Sequence, residues 1–234
     1  MFWALFAAAV ACLVAAFFWG KQTASAVPLS SSSTAMEPTV QPGDDVLADL
    51  GSAVRRGDII VLHLPSGFSA KISTGGAYVR RVIGLPGDRV ACCDSDGRVT
   101  VDGKPLNEAY LYPGDRPSLE PFSVTLGAGQ LWVLGDHRSI AVDSRIWGPV
   151  PEGDVAGHVE EVWHSGSFSA VQTPQTFVAE GLAPPDGRTS TVLIPLALGS
   201  LAVLALLALT VFGLIRTVIR RRRRRRLRNA SGAA

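Results

Sequence analysis

Short apolar strings that alternate with turn residues occupy the middle of the chain. Between residues 40 and 163, strings of four to six residues are separated by clusters of Gly, Pro and Asp. Such a pattern predicts antiparallel strands, and the dipeptide Asp96-Gly97 suits the positive φ of a hairpin turn. The predicted strands are Asp45–Ala48, Ile59–Leu64, Tyr78–Ile83, Arg89–Cys93, Arg98–Val101 and Gln130–Leu134.

Two long apolar runs flank this region. Residues 191–215 contain no charged residue, and as a helix they span about 37 Å, enough to cross a hydrocarbon core of ~30 Å. Residues 2–19 form a second run with aromatic residues at both ends, as at membrane interfaces. The alternatives are a buried core helix for the first run, and for the second a signal peptide cleaved near Ala24-Ser25-Ala26. The second run lacks a preceding basic region, which favours an uncleaved anchor.

Charge is divided unevenly along the chain. The sequence has 22 Lys+Arg and 20 Asp+Glu, but nine arginines lie between Arg216 and Arg228. Subtracting these nine leaves 13 basic and 20 acidic residues in residues 1–190, a net charge of −7. Positively charged flanks of membrane helices stay in the cytoplasm and lie against anionic lipid. We therefore expect membrane lipid as a partner of the tail and no nucleic acid, the weaker reading of an arginine run.

These features predict five segments and a location in the plasma membrane as a multi-pass protein. The middle domain lies outside the cytoplasm and the C-terminus lies inside it. The segments are an N-terminal transmembrane anchor (1–20), an extracytoplasmic β domain (21–165), a linker rich in Ser, Thr, Gln and Pro (166–190), a transmembrane helix (191–215) and an Arg-rich tail (216–234).

Cysteine and histidine are sparse. Cys92 and Cys93 are adjacent, and a disulfide between them would close a ring of only about eight atoms, outside ordinary bridge geometry. The sequence favours two small, partly buried strand residues instead. The histidines are scattered singly without metal-ligand spacing, so we expect no metal and no other cofactor. They are His63, His137, His158 and His164.

Four blocks carry the candidate chemistry. The first block is Ser33–Asp44, the second is Arg80–Asp88 and the third is Gly135–Val150, and a fourth block, Arg56–Val61, lies between the first and the second. In this order behind a membrane anchor, they resemble the bacterial type I signal peptidases over about residues 36–150. The Cys92-Cys93 pair before a hairpin and the second membrane helix resemble the actinobacterial branch.

The resemblance implies a fold and an activity. The fold is mainly β, with an antiparallel-sheet signal-peptidase-like ectodomain flanked by N- and C-terminal transmembrane helices. The activity is that of a membrane serine endopeptidase that removes signal peptides from exported precursors. A serine is the nucleophile, and a lysine, neutral only when burial lowers its pKa, is the general base.

The residues that supply this chemistry are replaced in the chain. Ala35 stands at the nucleophile position, and Arg80 stands at the general-base position. Alanine has no hydroxyl, and a guanidinium stays protonated in proteins. The remaining site residues that the resemblance implies are Ala141 in place of the serine that positions the base, Ser33 at the oxyanion-hole position, Asp143 and Arg145 as site scaffold, and Met36 and Pro38 as substrate contacts.

Three functional hypotheses follow. The first is a catalytically inactive member that binds signal peptides of exported precursors, regulates an active paralogue or is decaying. The second is an active peptidase with a relocated nucleophile such as Ser33, which on a strand would lie about 6.5 Å from the position of Ala35. The third is a membrane-anchored scaffold whose Arg-rich tail docks lipid or a cytoplasmic partner.

Overall fold

The computed structural model describes residues 24–28, 33–50, 53–68 and 76–184, with isolated helical positions between 205 and 219. The chain divides into two compact units, one of residues 1–22 with 190–234 and one of residues 23–189. Across the described residues, no helix is long and apolar enough to cross a membrane. The predicted spans at 2–19 and 191–215 lie outside the described residues, apart from scattered positions of the second.

The described part of residues 23–189 contains twelve strands and two short α-helices. In chain order the strands are β1 (Ala24–Pro28), β2 (Asp45–Asp49), β3 (Ile59–Leu64), β4 (Gly76–Gly84), β5 (Arg89–Cys92), β6 (Val99–Val101), β7 (Lys104–Pro105), β8 (Phe122–Thr125), β9 (Gln130–Leu134), β10 (Val150–Pro151), β11 (Val155–His164) and β12 (Ser167–Ala170). The helices are α1 (Ser144–Trp147) and α2 (Gln175–Ala179), and a 3₁₀ turn spans Glu152–Asp154.

The strands form two antiparallel sheets. The larger has the order β1-β2-β11-β3-β4-β9-β10, and β12 pairs with the end of β11. The smaller has the order β7-β6-β5-β8. This arrangement confirms the mainly antiparallel β class expected from the sequence, and each of the six predicted strands is present with bounds shifted by at most two residues at either end.

The sequence pattern does not predict the longest strand, β11. It includes His158, Glu160 and Glu161, all of which are buried or nearly so. These polar residues interrupt the apolar string that signals a strand, so the segment was not among the predicted strands. Its pairing with both β2 and β3 supplies the backbone hydrogen bonds that hold it in the centre of the sheet.

Strand β3 separates two parts of the core. Successive side chains of a strand point to opposite faces, so Ile59 and Val61 pack with Met36 on one face, whereas Ile60 and Leu62 pack on the other. All four of these β3 side chains have no exposed surface. Burial on both faces explains why β3 is a near-continuous apolar run.

The described part of the predicted linker is folded. Residues 166–184 contain β12 and α2, and only residues 185–190 lie outside the described part. Phe177 of α2 is completely buried and packs with Leu182 against the core of the smaller sheet. The polar composition of the segment does not predict this docking. Two apolar side chains are enough to hold the segment against an apolar surface.

The two adjacent cysteines also differ from expectation. Cys92 and Cys93 are joined by a disulfide, and the peptide bond between them is cis. Their Cα atoms are 2.9 Å apart, the separation across a cis peptide, which is shorter than the range of ordinary bridges on which the expectation rested. Cys92 is buried in the core of the smaller sheet, and Cys93 is exposed.

Docking of α2 can be tested at Phe177. Phe177→Ala removes a fully buried ring, and we expect it to lower the free energy of unfolding by about 3–5 kcal/mol. Phe168→Ala is the matched control, because that ring is 58% exposed. The measurement is urea unfolding of the purified full chain in detergent. Equal effects of the two substitutions would contradict a docked α2.

Candidate active site

The first block forms a tight turn anchored in the core. The N–H of Glu37 donates to the carbonyl of Thr34 (3.2 Å), and that of Val40 donates to the carbonyl of Met36 (2.9 Å). Met36 and Val40 are 2% and 1% exposed, so the side chain of Met36 contributes to packing. Pro38 is exposed, and the substrate contacts expected of Met36 and Pro38 remain predictions.

Ala35 lies in this turn and contacts the loop of the third block. Its carbonyl accepts a hydrogen bond from the backbone N–H of His137 (3.1 Å). The ring Nδ1 of His137 lies 3.2 Å from the carbonyl of Thr34 and 3.4 Å from a carboxylate oxygen of Glu37. Ser33 is half-buried and precedes the turn in a stretch without regular secondary structure, rather than on a strand.

Gly135 allows this contact and also brings Ala141 close. A Cβ added at Gly135 would collide with the Cβ of Ala141 and with the carbonyl oxygen of Ala35. Ala141 is 6% exposed, and its N–H donates to the carbonyl of His137 (3.0 Å). The first block and the loop therefore pack backbone against backbone, and the positions of Ala35 and Ala141 both border Gly135.

Arg80 lies on β4 and is 5% exposed. Its Nε and Nη2 donate to the carbonyl of Val142 (3.1 and 2.7 Å), and its Nη1 donates to the carbonyl of Val79 (2.6 Å). The guanidinium carbon lies 5.3 Å from the ring centre of Trp147 and 5.9 Å from that of Tyr78. The cation is thus stabilised by peptide carbonyls and aromatic faces.

The pKa of Arg80 reflects this environment. Burial lowers the pKa to about 10, although the nearby carboxylate of Asp143 acts in the opposite direction. At neutral pH the guanidinium still carries its proton, because the pKa lies about three units above pH 7. Arg80 can donate hydrogen bonds and attract negative charge, but it cannot accept a proton from a hydroxyl.

Asp143 and Arg145 hold the end of the same loop. Asp143 is completely buried and caps α1, and its carboxylate accepts hydrogen bonds from the N–H of Gly135 (2.9 Å) and from Nε and Nη2 of Arg145 (2.8 and 2.7 Å). Arg145 Nη2 also donates to the carbonyl of Arg138 (2.8 Å). These contacts close residues 135–145 into a rigid loop, consistent with the scaffold role predicted for the pair.

A buried ion pair fixes the start of the loop. Nε and Nη2 of Arg81 donate to the two carboxylate oxygens of Asp136 (2.8 and 2.6 Å), and Thr39 Oγ1 donates to the same carboxylate (2.5 Å). Burial opposes the charge on Arg81, but Asp136 raises its pKa above the usual value. The guanidinium carbon also lies 4.2 Å from the ring centre of Tyr110.

Sequence reasoning missed a second buried ion pair at this loop. Arg138 donates from Nη1 and Nη2 to both oxygens of Glu108 (2.9 and 2.5 Å), and both side chains are 1% exposed. Tyr112 stacks on the ring of His137 at 3.8 Å with an angle of 7°. No sequence signal links residues 108 and 112 to the third block, because they precede it by more than twenty residues.

The site residues are therefore brought together around one loop. Ala35 contacts His137 and Arg80 contacts Val142, so residues 135–145 connect Ala35 and Arg80. Away from this loop, the described residues also bring together three side chains of metal-binding types, Asp49, His158 and Glu160. They share no sequence spacing that would have predicted a metal.

The ion pair at the start of the loop can be tested with Asp136→Asn. The substitution leaves the Arg81 charge buried and uncompensated, so we expect a loss of about 3–5 kcal/mol in the free energy of unfolding. Asp96→Asn is the matched control, because its carboxylate is 67% exposed and its ion pair with Arg98 lies at the surface. Urea unfolding of the full chain measures both variants, and a control shift as large as that of Asp136→Asn would contradict the assignment.

Comparison with known proteins finds one matching family and several similar relatives. The family described as "Signal peptidase, peptidase S26" matches residues 2–164. The probable signal peptidase I-1 of Synechocystis sp. is 35% identical over 138 residues, 57% of this chain and 68% of that protein. Signal peptidase I of Leptolyngbya laminosa is 33% identical over 151 residues, 62% of this chain and 72% of that protein.

A solved signal peptidase I from Enterococcus faecalis is 27% identical, with a TM-score of 0.38 over 46% of this chain and 97% of that chain. The family match spans the first, second, third and fourth blocks together with the sheets that hold them. The chain belongs to the signal peptidase I family, peptidase S26.

Proposed function

We propose that this family member no longer hydrolyses peptide bonds and acts as a pseudoprotease that binds signal peptides of exported precursors or regulates their processing. The observation that carries this proposal is the buried guanidinium of Arg80. A general base must accept a proton near the operating pH. Arg80 keeps its proton at neutral pH, and its donors are directed at the carbonyls of Val142 and Val79.

The same environment would suit a lysine. Burial lowers the pKa of any cation at this position, and a lysine begins from a lower pKa than an arginine. Desolvation that leaves Arg80 charged would therefore bring an amine at the same place toward neutrality. The pocket keeps the burial that would prepare a lysine base, whereas an arginine, whose ordinary pKa is higher, stays protonated in it.

Ala35 and Ala141 remove the other two chemical groups. The side chain of Ala35 has no oxygen that could attack a carbonyl. The side chain of Ala141 has no hydroxyl that could hold a base by a hydrogen bond. The buried framework nevertheless remains, with Asp143 bound to Arg145 and Asp136 bound to Arg81. Loss of chemistry with retention of framework supports a binding role over decay of the whole domain.

The location is part of the same proposal. We propose a plasma-membrane protein with transmembrane segments at residues 1–20 and 191–215 and with the domain of residues 21–165 outside the cytoplasm. The Arg-rich tail at 216–234 lies in the cytoplasm against anionic lipid. The two apolar runs and the nine terminal arginines support this topology. The adjacent cysteines and the apolar run at residues 191–215 support placement in the actinobacterial branch.

The test is reversion of the three replaced positions. Full-length protein in detergent, incubated with a precursor that carries a signal peptide, should show no cleavage. The variant Ala35→Ser/Arg80→Lys/Ala141→Ser should cleave at a rate on the order of 10³-fold or more above the unchanged chain, because removing a nucleophile or base typically costs about 10⁶-fold in a serine hydrolase. Cleavage products are quantified by mass spectrometry.

Two further variants make the outcome specific. Ala35→Ser with Arg80 retained should stay inactive, because its hydroxyl has no base. Ser33→Ala addresses the alternative of an active peptidase with a relocated nucleophile. Cleavage by the unchanged chain that disappears in Ser33→Ala would overturn the proposal in favour of that alternative. A triple variant that folds but neither binds nor cleaves the precursor would contradict a retained peptide-binding surface.

A further inference from the structure

Three ionisable side chains converge on one face of the larger sheet, away from the loop of residues 135–145. His158 of β11 is the direct cross-strand partner of Asp49 of β2. Glu160 follows two residues later, where the pairing of β11 with β2 is interrupted by a β-bulge between Val159 and Glu161. Directly paired residues project to the same face, and the ligand atoms of the three side chains all lie within 4.8 Å of one another.

The distances match ligands that share a metal ion. Nε2 of His158 lies 3.7 Å from Oδ2 of Asp49 and 3.7 Å from Oε1 of Glu160. A hydrogen bond between such atoms measures about 2.7–3.2 Å. Two ligands of one tetrahedral Zn²⁺, each bound at about 2.0–2.2 Å, lie about 3.4 Å apart. The two separations are too long for direct hydrogen bonds and close to the ligand separation of a metal site.

Burial and charge favour a cation at this point. Asp49 and His158 are 3% exposed, and Glu160 is 9% exposed. Burying two carboxylates to this extent costs free energy unless they are paired or coordinate a metal. The two carboxylates supply two negative charges to a divalent ion, and the neutral imidazole supplies a nitrogen ligand.

We propose that Asp49, His158 and Glu160 bind a single divalent transition-metal ion of the Zn²⁺ class. The imidazole nitrogen and the two carboxylate oxygens supply three ligands of types that Zn²⁺ accepts, and water completes the coordination. The ion cross-links β2 to β11. Because Asp49 also pairs with Ala24 of β1, the ion fastens the β1–β2 edge to the centre of the sheet.

This site is separate from the replaced catalytic positions. Cross-strand pairs place Arg80, Ile60 and His158 in one row of the sheet. Two strand spacings of about 4.8 Å separate the backbones of Arg80 and His158. None of the three proposed ligands is a candidate catalytic residue, and metal binding can be measured without an activity assay.

The experiment measures zinc retained by the full chain. Protein without a polyhistidine tag, in detergent, is stripped with EDTA, incubated with Zn²⁺ and freed of excess metal by gel filtration. Metal analysis should find about one zinc per chain. His158→Gln should bind Zn²⁺ at least about tenfold more weakly in competition with a chromogenic chelator, since even removal of a supporting group costs about 10–100-fold. His63→Gln, an exposed imidazole on neighbouring β3, should bind as the unchanged chain does.

A second variant and a second readout distinguish loss of the metal site from misfolding. Glu160→Gln keeps the size of the side chain and should also weaken zinc binding, and far-UV circular dichroism checks the fold of each variant. Co²⁺ in place of Zn²⁺ should give visible absorption bands that are absent in Glu160→Gln. A folded, unchanged chain that retains no zinc would overturn the proposal. Equal retention by the unchanged chain and both folded site variants, or an equal loss in His63→Gln, would overturn it as well.

Discussion

The buried pair between Arg81 and Asp136 is the interaction on which the arrangement of the site depends. Arg81 belongs to the second block and Asp136 to the third, and their bidentate contact is almost completely shielded from solvent. Thr39 of the first block donates to the same carboxylate, and Nη1 of Arg81 donates to the carbonyl of Gly57 in the remaining block (2.8 Å). Four segments distant in sequence therefore meet at one ion pair. Removing a partner from a buried charge costs free energy, so the same ion pair holds each of the four segments in place.

Two adjacent residues of β4 have different roles. Arg81 supports the framework of the site, and Arg80 lies at the position of the proposed chemistry. Side chains alternate along a strand, so Arg81 and Arg80 project to opposite faces of the larger sheet. Arg81 meets a carboxylate, whereas Arg80 meets two peptide carbonyls and two aromatic rings. The first contact holds the blocks together, and the second holds a permanent cation at the position that the proposed function assigns to the general base. Framework and chemistry can therefore diverge independently, because different faces of one strand carry them.

The sequence predicted six of the twelve described strands, those whose apolar strings are short and bounded by turn residues. Strand β3 and strand β9 have the predicted bounds. It did not predict β11, whose buried His158 and Glu160 read as solvent-facing residues, or α2, which one fully buried ring docks to the core. Polar residues in a central strand become identifiable only when their partners on neighbouring strands are known.

By itself, the sequence determined the family, because the four blocks and their order are local features. It also determined the uneven charge and the two apolar runs. Tertiary structure alone decided what surrounds those positions. The pKa of Arg80 depends on burial and on the carboxylate of Asp143, and its guanidinium is held by the carbonyl of Val142, sixty-two residues away. Likewise, Asp49 and His158 become neighbours only through strand pairing. Solvation and pairing are set by contacts across the fold, and residues far apart in sequence carry no local signal of such contacts.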